Sequence, residues 1–434
     1  MKRLSLFPHG ADINQKGHLA IGGCDATELA EEFGTPLYVF DEFTIREKCA
    51  GFKKEFGQRY AETAVLYASK AFACSALVKL LDEEGLGLDV VSGGEMSIAR
   101  GAGFPMAKVY FHGNNKSLDE LKLALQWGVG RIVVDNLPEL GLLQELAEWQ
   151  NRNVDILLRL SPGIDPHTHR YNTTGIVDSK FGLTLSTWEE AVTRALTAPR
   201  LNLLGLHFHL GSLIFETEPY REAIGIVLDF AVEMKVRHGF SLRELNVGGG
   251  YGVRYTLDEV PPPVAAFAEV ITGSVGNKCR DLGLSLPKLV IEPGRAIIAQ
   301  AGVALYRVGV IKDIPGVRRY VSVDGGMGDN IRQALYGARH EAIAANKAAA
   351  AGEKVVTVAG KFCESGDILI RDIELPALSP GDILAVAESG AYCIPMSSNY
   401  NAFLRPAVAM VRDGKARLIR NRETFEDLAR RDVI

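Results

Sequence analysis

The 434-residue chain has no run of 18 apolar residues, so it offers no candidate for a membrane-spanning helix. Its opening stretch, MKRLSLFPHGADINQKG, lacks the apolar core of a secretion signal, and export is not expected. The six cysteines (24, 49, 74, 279, 363 and 393) never fall in CxxC spacing, which argues against zinc ribbons and disulfide frameworks. There is no excess of positive charge either. With 48 basic against 53 acidic residues, the net charge of −5 gives no electrostatic case for nucleic acid, and no basic stretch suits a membrane anchor. What remains is a soluble, globular composition, 47% hydrophobic and 23% charged, expected in the cytoplasm. The length allows two domains, or one large barrel with an addition.

What the chain does have is a rhythm. A short apolar strand followed by an amphipathic helix recurs, with strands predicted at 63–68, 88–91, 108–112, 131–135, 154–160, 203–209, 244–247 and 288–292. SLDE at 117–120 and STWE at 186–189 read as capping boxes opening two of the helices. Eight such units predict an α/β fold, a closed (β/α)8 TIM-type barrel over 36–298; a doubly wound open sheet is the alternative. SPGIDPHTHRYNTTGIVDSKFG, 161–182, reads as a long loop. Beyond about residue 300 the pattern changes to strands joined by turns. That predicts a second, all-β C-terminal domain over 299–434, joined by residues 1–35, which do not fit the barrel rhythm. Helical pattern there is confined to 337–351 and the tail, and EAIAANKAAAAG (341–352) reads as a helix and a loop.

In such barrels chemistry sits at the C-terminal ends of the strands. Those ends carry Lys70, Asp89, Ser92, His112, Asn114, Asp135, Arg159, His209, Gly248–Gly250, Glu292 and Arg295, polar or glycine almost throughout. A single lysine at a strand end is more often a snorkelling side chain. In a partly dry pocket the same amine becomes a nucleophile that forms Schiff bases with carbonyls, pyridoxal phosphate (PLP) among them. The glycine triplet of NVGGGYG suits close backbone approach to a phosphate, although a tight turn explains it as well; as a dinucleotide fingerprint it fails at Val253. Glu292 in LVIEPGR suits a partner for a pyridine nitrogen. HFHLGS puts His207 and His209 two apart, on one face of a strand. Metal hydrolases also use H-x-H, but on an early strand, so a metal is not expected; His209 suits stacking on a cofactor ring, and HTH at 167–169 reads as loop chemistry. Cys363 beside Glu364 offers a neutral thiol as proton donor. Arg332 and Tyr336, four apart, share a face if helical and suit a carboxylate. Tyr392 alone reads as packing.

Together the motifs YASKA, LDVVSGGE, FHGNNKS, TGIVDSKFG, HFHLGS, GGGYG, IEPGR, DGGMGDNIRQALY, CESGD and GAYCIPMSSNYN run in order from about residue 35 to 406. In this set the sequence closely resembles the diaminopimelate decarboxylase family, in the alanine-racemase-like PLP group. The resemblance implies that Lys70 carries PLP, that His209 stacks on its ring and that Glu292 faces the ring nitrogen. Gly248, Gly249, Gly250 and Arg295, with their neighbours Ser212, Pro293 and Gly294, would hold the phosphate end. Arg295, Arg332 and Tyr336 would bind the distal carboxylate of the substrate, Glu364 its distal amine, and Tyr392 both cofactor and substrate. Cys363 would be the proton donor. In this family the segment carrying Cys363 and Glu364 comes from a second subunit, so the resemblance implies a homodimer whose β domain completes the active site and the dimer interface. The implied reaction is meso-2,6-diaminopimelate to L-lysine and carbon dioxide. A related decarboxylase of arginine, ornithine or carboxynorspermidine, or a PLP-binding homologue without turnover, are the alternatives. Leu213 stands where the family usually has glutamine, Gln333 where it often has proline, and YASKAF replaces the commoner YAxKAN.

Overall fold

The structure, a computed structural model, describes residues 2–165 and 179–433. The HTH triplet and most of the 161–182 stretch therefore lie outside the described residues. The chain divides into two compact units.

One unit comprises Cys49–Gly252 and Pro261–Gly294. Its eight parallel strands are Thr63–Ala68, Gly87–Val90, Val109–Phe111, Arg131–Val134, Val154–Arg159, Leu201–His207, Glu244–Asn246 and Lys288–Ile291, and they close into a barrel in sequence order. The last pairs with the first, Val290 opposite Ala64. Helices between them cover the outer face, so the strands are buried on both sides and read as continuous apolar runs rather than alternating ones. Inside, Leu66, Tyr110, Val133, Leu157, Leu204 and Val290 pack together. Most predicted strands overrun by a residue at the C-terminal end, because ladder pairing stops where the polar rim begins. The sixth strand differs more. It ends at His207, so the period-two argument that put His207 and His209 on one face does not reach His209.

Ser117 caps Leu118–Trp127 as a full capping box with Glu120. The expected box at 186–189 does not form. A 3-10 turn, Leu185–Thr187, comes first, and Thr187 becomes the N-cap with helical dihedrals and no side-chain cap. Its hydroxyl donates back to the Thr184 carbonyl instead, at 2.9 Å.

The other unit comprises Met1–Lys48, Val253–Val260 and Arg295–Ile434. Its long strand Gly302–Ile314 pairs antiparallel with Leu37–Asp41, Arg318–Val323 and Ile383–Val386. Ala407–Arg412 lies parallel to Leu37–Asp41 on its other side. Both ends of the chain thus meet in one core, where Leu6, Phe7 and Leu19 pack with Val303, Leu305 and Val411. The alanine-rich stretch corrects the expectation. Ala342–Ala344 is a strand on Ile383–Val386, followed by a 3-10 turn, Ala345–Lys347. Ala342, Ala344 and Ala345 are fully buried, and Asn346 and Lys347 both donate to Asp382, at 2.8 and 2.6 Å. Sheet pairing and those anchors outweigh the helix preference of alanine. The helical turn lies earlier, at Arg332–Tyr336, and the tail forms Phe425–Ala429.

Candidate active site

At the C-terminal mouth of the barrel the strand Thr63–Ala68 runs into a 3-10 turn, Ser69–Ala71, that lifts Lys70 off the rim. Its Nζ stands 3.8 Å from Asp89 Oδ2, with the side chain 38% exposed. Asp89, next to last on its strand, is buried, and burial raises its carboxyl against the pull of His112 and Lys70. His112 follows the third strand and is fixed by its amide donating to Val90 O at 2.8 Å. Its Nε2 lies 2.8 Å from Glu292 Oε1 and 3.8 Å from Asp89 Oδ1. Neither contact is a hydrogen bond, since the ring is turned off the hydrogen-bond axis.

Glu292 has two further partners. Asn246 Nδ2 donates to Oε1 at 2.7 Å, while Asn246 Oδ1 accepts from Gly248 N at 2.9 Å. His207 Nε2 lies 3.4 Å from Oε2, its ring edge-on to His112 with centroids 4.8 Å apart. Burial alone would raise the Glu292 carboxyl; the facing His112 and His207 outweigh it and hold it well below the usual range. Burial takes His207 itself down to about 3, so it is neutral at pH 7. His209 is also lowered well below an ordinary imidazole, by burial first and then by Lys70 and Arg159. Its Nδ1 accepts from Gly249 N at 3.2 Å, which leaves the proton on Nε2.

The glycine turn is required by space. A Cβ on Gly249 would fall 2.1 Å from Glu292 O, and Gly248 and Gly250 have φ of +71° and +110°. Tyr220 OH clamps the turn by donating to Gly249 O at 2.6 Å. Ser212 is partly buried on the neighbouring turn, and Pro293 and Gly294 are buried beside Ala68.

The β unit gathers a second group around Tyr255. Arg295 Nη1 donates to Tyr255 OH at 2.7 Å, and its guanidinium lies 4.4 Å over the Tyr392 ring. Arg332, on its short helix, is buried, with its guanidinium 4.0 Å over the Tyr255 ring. Its Nε and Nη1 have no hydrogen-bond partner among the described residues. Tyr336 is partly buried, its hydroxyl 4.0 Å from Met396 Sδ. His340, edge-on to Tyr255, is lowered to about 3 by burial and then by Arg332. Glu388 is raised to about 8, chiefly by burial. Cys363 and Glu364 stand exposed on a turn of their own. Asp367 shapes that turn by accepting from Met327 N and Phe362 N at 2.6 and 2.8 Å, and Asn401 Oδ1 accepts from Cys363 N at 2.8 Å.

Residues 42–299 match the family described as "Pyridoxal-dependent decarboxylase, pyridoxal binding domain". The diaminopimelate decarboxylase of Bacillus subtilis (strain 168) is 48% identical over 431 residues, 99% of this chain and 98% of that one. The crystal structure of the diaminopimelate decarboxylase from M. jannaschii superposes with a TM-score of 0.91 at 37% identity, covering 98% of each chain. Its co-complex with L-lysine gives 0.92 at 36% identity, again covering 98% of each chain. The chain belongs to the diaminopimelate decarboxylase family.

Within this decarboxylase fold most of the sequence-predicted residues fall into two groups, with Cys363 and Glu364 apart from both on their exposed turn. Lys70, His209, Gly248–Gly250 and Glu292 meet at the barrel mouth; Arg295, Arg332 and Tyr392 meet around Tyr255 in the β unit. The histidine pairing differs from expectation. His207 converges with His112 and Glu292, their donor atoms all within 4.8 Å, and not with His209. Tyr255, Asn246 and Glu388 were not singled out from the sequence. Asn246 alone carried a signal, as a polar residue inside the apolar run before the glycine triplet. Leu213 takes φ +60°, and Gln333 sits second in the helix Arg332–Tyr336.

Proposed function

We infer that the chain catalyses the PLP-dependent decarboxylation of meso-2,6-diaminopimelate to L-lysine and carbon dioxide, the last step of lysine biosynthesis. The observation that carries this is the Lys70 amine, held 3.8 Å from buried Asp89 in the same barrel mouth as Glu292 and the glycine turn. The mouth fits the cofactor chemically. It offers a nucleophilic amine, a carboxylate kept anionic, and a backbone turn with no room for a side chain.

Lys70 would hold PLP through its amine, with Glu292 as the partner of its ring nitrogen and His209 as the partner of its ring. Ser212, Gly248–Gly250, Pro293, Gly294 and Arg295 take the phosphate end. The bound cofactor supplies the sink for the electron pair left by the departing carboxylate. The chain's residues set the geometry and the proton inventory. Arg332, with two buried N–H groups lacking partners, takes the distal carboxylate with Tyr336 and Arg295. Glu364 takes the distal amine and Tyr392 contacts both ligands. Fixing the far end of the substrate aims the leaving carboxylate. Cys363 would hold the proton that replaces it on the α-carbon. The enzyme acts in the cytoplasm as a homodimer, and the exposure of Cys363 and Glu364 in the single chain supports their serving the other subunit's site.

The test is lysine formation from meso-diaminopimelate by purified protein with PLP, run beside L-arginine, L-ornithine and carboxynorspermidine. Lysine from the first substrate alone is the expected result. Turnover of another overturns the assignment of Arg332 and Glu364, and no turnover of any overturns the enzymatic reading.

A further inference from the structure

Four polar side chains at the barrel mouth form a line: Lys70, Asp89, His112 and Glu292. One atom joins its two halves. His112 Nε2 lies 2.8 Å from a Glu292 oxygen and 3.8 Å from an Asp89 oxygen, and all three residues are buried. Asp89 in turn faces Lys70 through its other oxygen. An imidazole nitrogen facing two carboxylates must carry the hydrogen, since a lone pair there would meet two sets of oxygen lone pairs. His207 cannot supply that role. Burial keeps it neutral, and it stands 3.4 Å from Glu292 where His112 stands at 2.8 Å and also faces Asp89.

We propose that His112 is a positioning residue of this decarboxylase, whose ring edge, with Nε2 against Glu292 and facing Asp89, holds the Glu292 carboxylate in place and couples its charge, through Asp89, to the amine of Lys70. The proposal rests on the reading that Glu292 faces the cofactor's ring nitrogen. Asn246 fixes the same Glu292 oxygen from the opposite strand but is neutral and cannot carry charge from one carboxylate to the other. The charged and titratable groups facing this line are Glu95, Arg159, His207 and His209, with the Tyr110 and Tyr251 hydroxyls on the Glu292 side, all from the barrel unit; Glu95, raised to about 7 chiefly by burial, is present unchanged in every variant compared. Arg159 lies 3.5 Å from Asp135, on the next strand, which shares its charge. Removing the Nε2–H therefore leaves two buried carboxylates facing one another with Lys70 as the balancing cation.

The experiment compares His112→Gln, which keeps an N–H donor at about the same reach, with His112→Leu, which keeps bulk and loses the donor. The PLP-loaded proteins are titrated from about pH 6 to pH 10 while the near-visible absorbance of the bound cofactor is followed. Steady-state kcat and KM are measured beside it. The expected result for the leucine variant is a displaced absorbance transition and a kcat lower by roughly 10- to 100-fold at unchanged KM. The glutamine variant keeps the transition near its wild-type position. A leucine variant with wild-type transition and kcat overturns the proposal, as does an equal loss in both variants with an unmoved transition, which is a packing effect. Should His112→Leu fail to fold, His112→Asn carries the same test, because its shorter side chain withdraws the N–H from Glu292 while leaving Asp89 and Lys70 in place. Glu292→Gln separates the two levels of inference. If it leaves the spectrum untouched, the ring-nitrogen reading has failed; if it alters the spectrum while His112→Leu does not, only the role of His112 has failed.

Discussion

Lys70 is placed by a change of backbone, strand to 3-10 turn, at the rim of the barrel mouth, where its side chain stays partly exposed. Replacing it by alanine is expected to abolish both lysine formation and the near-visible absorbance of protein mixed with PLP. A variant that keeps the absorbance and turns over substrate overturns the assignment. Gly249 is the opposite kind of residue, defined by what cannot be there. Gly249→Ala drives a methyl into the Glu292 carbonyl, 2.1 Å away, and the strain is expected to cost about 1–3 kcal/mol. Because the clash falls on the backbone of Glu292, the loss should show in a weaker apparent Kd for PLP, read by absorbance titration, as well as in a lower urea midpoint.

The helix Leu118–Trp127 begins with a reciprocal box, Ser117 Oγ accepting from Glu120 N while the Glu120 carboxylate accepts from Ser117 N. That carboxylate also accepts from Gly93 N at 2.8 Å, tying two helix starts together. Ser117→Ala is expected to cost about 1 kcal/mol in urea denaturation, with kcat unchanged. SLDE was legible because everything it needs lies within four residues. STWE satisfied the same local rule and formed no box, because Thr187 itself turned helical and bonded backwards to Thr184. The barrel strands were legible for a related reason, since burial on both faces writes apolar runs into the sequence. The stretch around Ala342–Ala344 was not, because its partner strand lies some forty residues on and its anchors converge on Asp382. The site divides the same way. Lys70, the glycine triplet and Glu292 stand in local motifs, whereas the convergence of His112 with His207, and the stacking of Arg332 on Tyr255, are products of tertiary packing.

Taken entire, the molecule holds several carboxylic acids in places that favour their neutral form. Glu388 is the clearest, raised to about 8, with one carboxylate oxygen lacking a partner among the described residues. Its folded value exceeds its unfolded one, so the native state binds the extra proton and stability falls as pH rises between about 4.5 and 8. Glu388→Gln is expected to flatten that part of the profile, the variant gaining on the wild type in urea midpoint from pH 5 to pH 8. A constant difference across that range would reject the buried, neutral acid. The proposal that each site is completed by the other subunit makes a separate prediction. Mixed dimers of a Lys70→Ala chain and a Cys363→Ala chain contain one site with both residues intact and should recover activity absent from either homodimer. Activity that stays at zero, with mixed dimers present by native mass spectrometry, argues for sites built from one chain.

The strand Leu37–Asp41 lies between Gly302–Ile314 and Ala407–Arg412, and all five of its residues are buried. On a ribosome adding 5–20 residues per second, roughly 20–70 s separate its emergence from that of its last partner. Until Gly302–Ile314 appears, while the barrel sequence is being made, this apolar strand waits with both edges open, and one edge stays open until Ala407–Arg412 follows. The nascent chain is therefore most vulnerable to self-association before its final hundred residues appear, and its yield in a cell depends on what shields that one early strand.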